Sequence, residues 1–241
     1  MMLSVLYYIL LLSITLLFFL VMCVAWVLTV AVDRKRVVLH WLSRMWTNVY
    51  FGIVPSWRRR VSGKENIKKG EAYVVVVNHC SMLDIPLMYV LPFNFKWVSK
   101  REVYKWPLFG LVLWMHGDIA IERGSSKSLR TLVAGGTKNL SQGISVIVFP
   151  EGTRSRTGQI GRFHEGAFML ARQAGVGILP CVSVGTGSAF DGWKFNFKNR
   201  FRVNILPPLS AEEVASTGAK ELTVKVHDMM CAEQEKMKNE K

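Results

Sequence analysis

The chain has 241 residues, half of them hydrophobic, and its 31 Lys and Arg against 17 Asp and Glu give a net charge of +14. That length suits one domain of ordinary size with a short appendage. The basic excess points to an anionic membrane surface or a phosphorylated small molecule and away from nucleic acid, because no helix concentrates the charge and no zinc or aromatic RNA-binding pattern is present. Cys23, Cys80, Cys181 and Cys231 are far apart and form no Cys-x-x-Cys pair, so they read as free thiols rather than a disulfide framework or a zinc cluster.

Leu3 to Val32 carries no charged residue. As a helix it is about 45 Å long, and a bilayer core needs only ~20 apolar residues. A signal peptide is the competing reading, but the run is too long for one and lacks the basic start. Asp33-Arg34-Lys35-Arg36 follows at once, then Arg44 and Arg58-Arg59-Arg60. By the positive-inside rule the N-terminus lies outside and the remainder faces the cytoplasm, on an inner (cytoplasmic) membrane. Val37 to Val54 is a second, amphipathic stretch, with Trp41, Trp46, Tyr50 and Phe51 among basic residues. It reads as an interfacial helix, or as a soluble helix packed on the main domain. Residues 1–60 are thus expected to form a helical transmembrane and interfacial anchor, and residues 61–241 the folded domain.

Within that domain, Tyr73 to Val77 is a continuous β-branched run, as in a strand buried on both faces. Helices are predicted over Met82–Val90, Trp106–Met115, Ser126–Gln142 (closed by Gly143) and Gly166–Ala174 (closed by Gly175). Strands are predicted over Lys96–Ser99, Asp118–Ile121, Ile144–Phe149 and Ile178–Val184. Trp193–Phe197 and Phe201–Leu206 alternate apolar and polar residues, as the strands of a hairpin do. Ser210 and Glu213 make a capping box before the last helix. Strands alternating with helices predict an α/β fold, a mixed sheet flanked by helices, with its site at the carboxyl ends of the strands.

Two segments at such ends carry chemistry. Asn78-His79-Cys80-Ser81-Met82-Leu83-Asp84 follows the valine strand. On one continuous helix His79 and Asp84 would be roughly 500° apart, on different faces. They meet only if His79 precedes a helix and Asp84 lies in its first turn. Asp84 then fixes one imidazole nitrogen and leaves the other free as a base. The bland alternative is that Ser81-x-x-Asp84 simply caps a helix. Phe149-Pro150-Glu151-Gly152-Thr153-Arg154-Ser155 follows the next buried strand. Pro150 ends the ladder, Gly152 permits a close backbone approach, and Arg154 between two hydroxyls suits a phosphate. Arg156 and Arg162 add to the positive field; a solvated polar loop is the alternative. Gly185-Thr186-Gly187 does not complete a dinucleotide fingerprint, and no Walker pattern is present.

Together these residues resemble the glycerolipid acyltransferase family, specifically the 1-acylglycerol-3-phosphate (lysophosphatidic acid) acyltransferases. The His-x4-Asp block is followed by Gly117-Asp118-Ile119-Ala120-Ile121-Glu122-Arg123, by Phe149 to Ser155, and by the apolar strand with proline, Ile178-Leu179-Pro180-Cys181. Lys100 and Pro107-Leu108-Phe109-Gly110 also look like family sequence. Ala120, Glu122 and Cys181 depart from the residues common at those positions, which bears on substrate preference more than on chemistry.

The resemblance implies that residues 61–241 are an acyltransferase domain. It implies direct transfer of an acyl group from an acyl-CoA or acyl carrier protein thioester to the free sn-2 hydroxyl of a lysophospholipid acceptor, giving phosphatidic acid, with no metal and no cofactor beyond that co-substrate. It makes His79 the general base and Asp84 its orienting partner. Arg154, Lys100 and Arg123 would hold the acceptor's phosphate, on a loop completed by Glu151, Gly152 and Thr153, with Glu151 binding the acceptor hydroxyl or holding the loop. The oxyanion would be held by a backbone N–H near the His79 turn or at Glu151-Gly152. Trp97, Trp106, Phe109, Leu113 and Trp114 are candidates for an acyl channel, or simply core and membrane-facing residues. Two rivals stand beside this reading: a different acceptor, glycerol 3-phosphate or another lysolipid, and a non-enzymatic basic membrane adaptor. An acyl-enzyme on Cys80 is a third, weaker mechanism, because His79 paired to Asp84 leaves that thiol without a partner.

Overall fold

The structure, a computed structural model, describes residues 2–54, 56–122 and 126–240. The uncharged run forms α1 (Met2–Thr29), long and apolar enough to cross a membrane. It buries only Ser4, Leu11 and Met22, while Leu12, Leu17 and Val24 are each more than half exposed. Asp33 then turns the chain: its carboxylate oxygens accept the Val37 and Val38 N–H at 3.0 and 2.8 Å, the first donors of α2 (Val37–Ile53). Leu39, His40, Leu42, Ser43, Thr47 and Phe51 of α2 are buried at helical spacing, whereas Trp41 points out.

β1 (Arg59–Ser62) opens the main sheet. In β2 (Val74–Val77) all four valines are buried, Val74 and Val76 in one core cluster and Val75 and Val77 in the other, because both faces of the sheet are covered. The helix predicted over Met82–Val90 is broken. Only a single turn, α3 (Asp84–Leu87), is α-helical, and Met88–Val90 winds more tightly as a 3-10 turn. Before α3, the Asp84 carboxylate takes the N–H groups of Cys80 and Ser81, so a side-chain-directed turn leads into the helical turn.

β3 (Phe95–Lys100), α4 (Phe109–His116), β4 (Ile119–Ile121), α5 (Ser126–Leu140) and β5 (Ser145–Val148) follow, close to the predicted bounds. α6 (Gly166–Ala174) and β6 (Ile178–Val184) match them residue for residue. Gly175 closes α6 at φ 63°, in the left-handed region that a glycine enters without strain.

The predicted hairpin does not form. β8 (Lys194–Phe195) pairs instead with β7 (Phe190–Asp191), and β9 (Phe201–Ile205) enters the main sheet, antiparallel to β6 and parallel to β1. Alternation reports that one face of a strand is buried, as it is in β9, but it does not name the partner. Ser210 does cap a helix, its hydroxyl accepting the Glu213 N–H at 3.2 Å, but that helix is the short α7 (Ala211–Ser216). A further helix, α8 (Ala219–Asn239), follows it.

The main sheet runs β1-β9-β6-β2-β5-β3-β4, mixed as predicted, with the last five strands mutually parallel. α5, α6 and α8 cover one face through Leu132, Phe168, Leu170 and Met230. α2 and the segment after α3 cover the other, through Phe51, Leu87 and Leu91. The carboxyl ends of the parallel strands share one edge. Because β2 and β5 are neighbours, the turn after Val77 and the loop after Val148 meet there.

Candidate active site

His79 Nδ1 lies 2.9 Å from Asp84 Oδ2. Asp84 is fully buried, and its carboxylate also accepts the Cys80 and Ser81 N–H at 2.7 and 2.8 Å and the Ser183 hydroxyl at 3.3 Å. The His79–Asp84 pairing is therefore realised, whereas the short helix that begins at Asp84 carries no side-chain cap. With Nδ1–H donating to the carboxylate, Nε2 is the nitrogen left to accept a proton.

The loop after β5 grips the His79 main chain at both ends. Glu151 Oε1 accepts the His79 N–H at 2.8 Å, and Ser155 N–H donates to the His79 carbonyl at 2.7 Å. Glu151 Oε2 accepts the Gly161 N–H at 2.9 Å, closing the loop on itself. Burial in this position raises the Glu151 carboxyl above its ordinary pKa. The imidazole stacks on Phe149, centroids 3.9 Å apart and planes 10° apart, and Phe149 stacks in turn on Trp97 at 5.3 Å. On the far side Asn78 uses its amide like a short strand, accepting from Ser183 N–H at 2.8 Å and donating to Ser183 C=O at 2.9 Å.

Thus His79, Asp84 and Glu151 come together, with both Glu151 oxygens spent on main-chain N–H groups. Of the other named residues, Lys100, Gly152, Thr153 and Arg154 make no described hydrogen bond or ion pair to these three side chains. Gly152 takes a left-handed turn at φ 67°, its N–H donating to the Phe149 carbonyl, and Thr153 and Arg154 are exposed on the loop beyond. Lys100 ends β3, half-exposed and 3.4 Å from Glu102. Arg123, just past β4, lies outside the described residues. Of the N–H groups expected to hold an oxyanion, those of His79, Cys80, Ser81 and Gly152 are occupied as given above, and that of Glu151 donates no described hydrogen bond.

Cys80 is half-buried beside the pair. Burial, then the carboxylates of Asp84 and Glu151, push its thiol up to about 11, so it is not a thiolate at neutral pH. An apolar cavity of about 190 Å³ opens under α1 and α2, lined by Trp97, Phe109 and Leu113, with Ile85 next to Asp84. Trp106 and Trp114 instead face outward, each more than half exposed, and Trp114 packs against Trp26 of α1 with the rings tilted at 46°. Asp118 also borders this cavity and accepts the Trp97 N–H at 2.9 Å.

Sequence reasoning missed three supports: Asn78, Ser183 and the stacked Phe149. Asn78 carries a signal, a polar residue ending a run of buried valines, whereas Ser183 is paired to it only by the fold.

A family model described as Acyltransferase matches residues 58–184, the span from just before β1 to the end of β6. Among curated proteins, the chain is 31% identical over 173 residues to the Arabidopsis thaliana protein named 1-acyl-sn-glycerol-3-phosphate acyltransferase LPAT1, chloroplastic, covering 71% of this chain and 48% of that one. It is 38% identical over 161 residues to the Mus musculus 1-acyl-sn-glycerol-3-phosphate acyltransferase alpha, covering 64% of this chain and 56% of that one. The chain therefore spans about half the length of these relatives. A crystal structure of the 1-acyl-sn-glycerophosphate acyltransferase PlsC from Thermotoga maritima shares the fold, with a TM-score of 0.73 at 24% identity over 98% of this chain and 99% of that one. With the match running through His79, Asp84 and the whole loop that carries Glu151, this chain belongs to the Acyltransferase family.

Proposed function

We infer that this protein transfers a fatty acyl group from a thioester to the sn-2 hydroxyl of lysophosphatidic acid, giving phosphatidic acid. The observation that carries the reading is the His79–Asp84 pair, Nδ1 to Oδ2 at 2.9 Å, at the carboxyl edge of the parallel strands. The names of the curated relatives supply the acceptor.

In this reading the acceptor hydroxyl gives its proton to His79 Nε2 as its oxygen attacks the thioester carbonyl carbon. Asp84 stabilises the imidazolium that forms. The C–O bond is completed, the C–S bond breaks, and the departing sulfur takes the proton back from His79. The chemistry uses no metal and no cofactor beyond the acyl-CoA or acyl carrier protein thioester. Arg154, with Thr153 and the Gly152 turn, is assigned to the acceptor's phosphate, together with Lys100 and Arg123. Glu151 has both oxygens engaged on main-chain N–H groups, so its role is to position His79. The Glu151 N–H, with donors further along the loop at Thr153 and Arg154, remains for the oxyanion.

Residues 1–60 carry the anchor in α1 and residues 61–241 most of the catalytic domain, with α2 packed on the sheet through Phe51 and β1 paired to β9 across that boundary. α1 leaves its large apolar side chains to lipid, and the basic residues that follow hold the domain against the anionic cytoplasmic leaflet, each worth roughly 1 kcal/mol near the surface. Both reactants are lipids or carry a lipid chain, and the apolar cavity beneath α1 and α2 is the entry for the acyl tail.

The reading is tested by an acceptor panel. Detergent-purified protein is given oleoyl-CoA or an oleoyl carrier protein, and thiol release is followed with lysophosphatidic acid, glycerol 3-phosphate and lysophosphatidylcholine. Release with lysophosphatidic acid above the other two is the expected result. A preference for glycerol 3-phosphate overturns the acceptor, and silence with every pair overturns the activity.

A further inference from the structure

A second cavity, of about 560 Å³, opens at the carboxyl end of β6 and shares no lining residue with the apolar one. Cys80 lines this cavity, whereas Ile85 and Trp97 line the other. Its wall carries Arg156, Arg200, Arg202 and Lys238, and no Asp or Glu lines it. Arg202 meets a carboxylate only at the rim, 3.9 Å from Glu240. Lys238 Nζ donates to the Gly158 carbonyl at 2.8 Å, Gln159 Oε1 at 3.0 Å and Gln234 Oε1 at 3.1 Å. All three acceptors are neutral, so the ammonium ties α8 to the loop after β5 while its charge stays uncompensated. The Arg200 side chain takes part in no hydrogen bond or ion pair among the described residues.

The Gly185-Thr186-Gly187 turn forms the wall opposite α8. Gly185 has φ +96°, and a Cβ there would lie 2.1 Å from the Arg200 carbonyl, so the turn rests directly on the chain entering β9. Asn199 Nδ2 and the Ser188 hydroxyl both donate to the Gly185 carbonyl, at 2.8 and 3.2 Å, and fix that approach. A Cβ at Gly187 would lie 3.7 Å from the Cys80 Cβ. The cavity is thus a built, concave, cationic site whose edge is the residue next to the catalytic base.

Converging cations without counter-ions repel one another unless an anion joins them, and a concave wall suits a compact polyanion better than a flat membrane surface. An acyl thioester has two ends, an apolar chain and a phosphorylated pantetheine handle. Two separate cavities, a cationic one lined by Cys80 next to His79 and an apolar one lined by Ile85 next to Asp84, match those two ends. We propose that the cavity between β6, β9 and α8 binds the phosphates of the acyl donor's handle, with Arg200 and Lys238 as principal contacts. This rests on the acyl-transfer reading above. The phosphate is common to phosphopantetheine on a carrier protein and to CoA, and CoA adds its nucleotide phosphates.

The test is a comparison of donors at saturating lysophosphatidic acid. Oleoyl-CoA, an oleoyl carrier protein and oleoyl-pantetheine, which has no phosphate, are given to wild type, Arg200→Ala and Lys238→Ala. Arg200→Ala breaks no described contact, so it reads the site even where Lys238→Ala loosens α8. Each substitution is expected to raise KM for oleoyl-CoA about tenfold or more, the loss of a charge-assisted hydrogen bond. KM for lysophosphatidic acid and for oleoyl-pantetheine stay unchanged. A parallel rise with the carrier protein places the pantetheine phosphate in the cavity, and a rise confined to oleoyl-CoA places the nucleotide phosphates there; both support the site. An active wild type whose donor KM ignores the substitutions, or a loss equally large with oleoyl-pantetheine, overturns it. A wild type silent with all donors overturns the acyl-transfer reading and this site with it.

Discussion

Glu151 Oε1 accepts the main-chain N–H of His79 at 2.8 Å, so an acidic side chain from one loop fixes the backbone of the proposed base on another. Its second oxygen holds Gly161 at 2.9 Å, and the two contacts together set the distance between the loop and the imidazole. Glu151→Ala releases both N–H groups. A misplacement of the base of about 1 Å costs on the order of 100-fold, so kcat is expected to fall by about that factor. Glu151→Gln can accept from only one of the two donors and is expected to fall between. The readout is kcat against acceptor KM: a positioning residue lowers kcat, whereas a residue that binds the acceptor hydroxyl raises KM.

Cys80 tests the one-step transfer. A thiol held up to about 11 by burial and two neighbouring carboxylates is a poor nucleophile at neutral pH. Cys80→Ser is expected to retain kcat within about threefold, as a substitution outside the chemistry does. Acid quenching during turnover with radiolabelled acyl donor should leave no label on the wild-type chain. Stoichiometric labelling of Cys80 would contradict the direct mechanism.

Much of this was legible in the sequence because the signals are local. Four consecutive valines predict a strand buried on both faces, and the His-x4-Asp spacing works only across a strand-to-helix junction, which is where the pair lies. The glycines after α5 and α6 mark ends that the fold respects. What escaped depends on distant partners. The alternation in Phe201–Ile205 gives no hint that β9 pairs with β6 and β1 rather than with Lys194–Phe195. Glu151 beside an arginine reads as part of a ligand loop, and only the adjacency of β2 and β5 turns it toward the His79 backbone. The hydrophobic pattern over Met82–Val90 does not reveal that only Asp84–Leu87 is α-helical and Met88–Val90 a 3-10 turn.

Arg154 is exposed on the loop, with no described protein partner for its guanidinium. Arg154→Ala is expected to raise KM for lysophosphatidic acid roughly 10- to 100-fold, the loss of a charge-assisted phosphate contact. Arg154→Lys keeps the charge but not the planar fork and recovers only part of that. Steady-state rates with varied lysophosphatidic acid at fixed donor check this, and an unchanged KM in Arg154→Ala would move the phosphate elsewhere.

Asp118 borders the apolar cavity, and withdrawal from water pushes its carboxyl up to about 7. The folded value lies above the unfolded one. Below pH of about 4 both states hold the proton; between about 4 and 7 only the folded state does, so the contribution to stability declines as pH rises through that window and is flat above it. Asp118→Asn removes the titration while keeping an oxygen for the Trp97 N–H. Thermal melts from pH 4 to 8 are expected to show a smaller fall in Tm for Asp118→Asn than for wild type. Parallel curves would show that Asp118 titrates normally in the folded protein.

The account stands or falls on His79 as the base. The most direct measurement is the rate of thiol release from oleoyl-CoA at saturating lysophosphatidic acid, wild type beside His79→Ala, with far-UV circular dichroism confirming that both are folded. General-base removal from a paired site predicts a loss of about 1,000-fold or more in kcat with the acceptor still bound. A folded His79→Ala that keeps its rate within about tenfold of wild type would contradict the assignment.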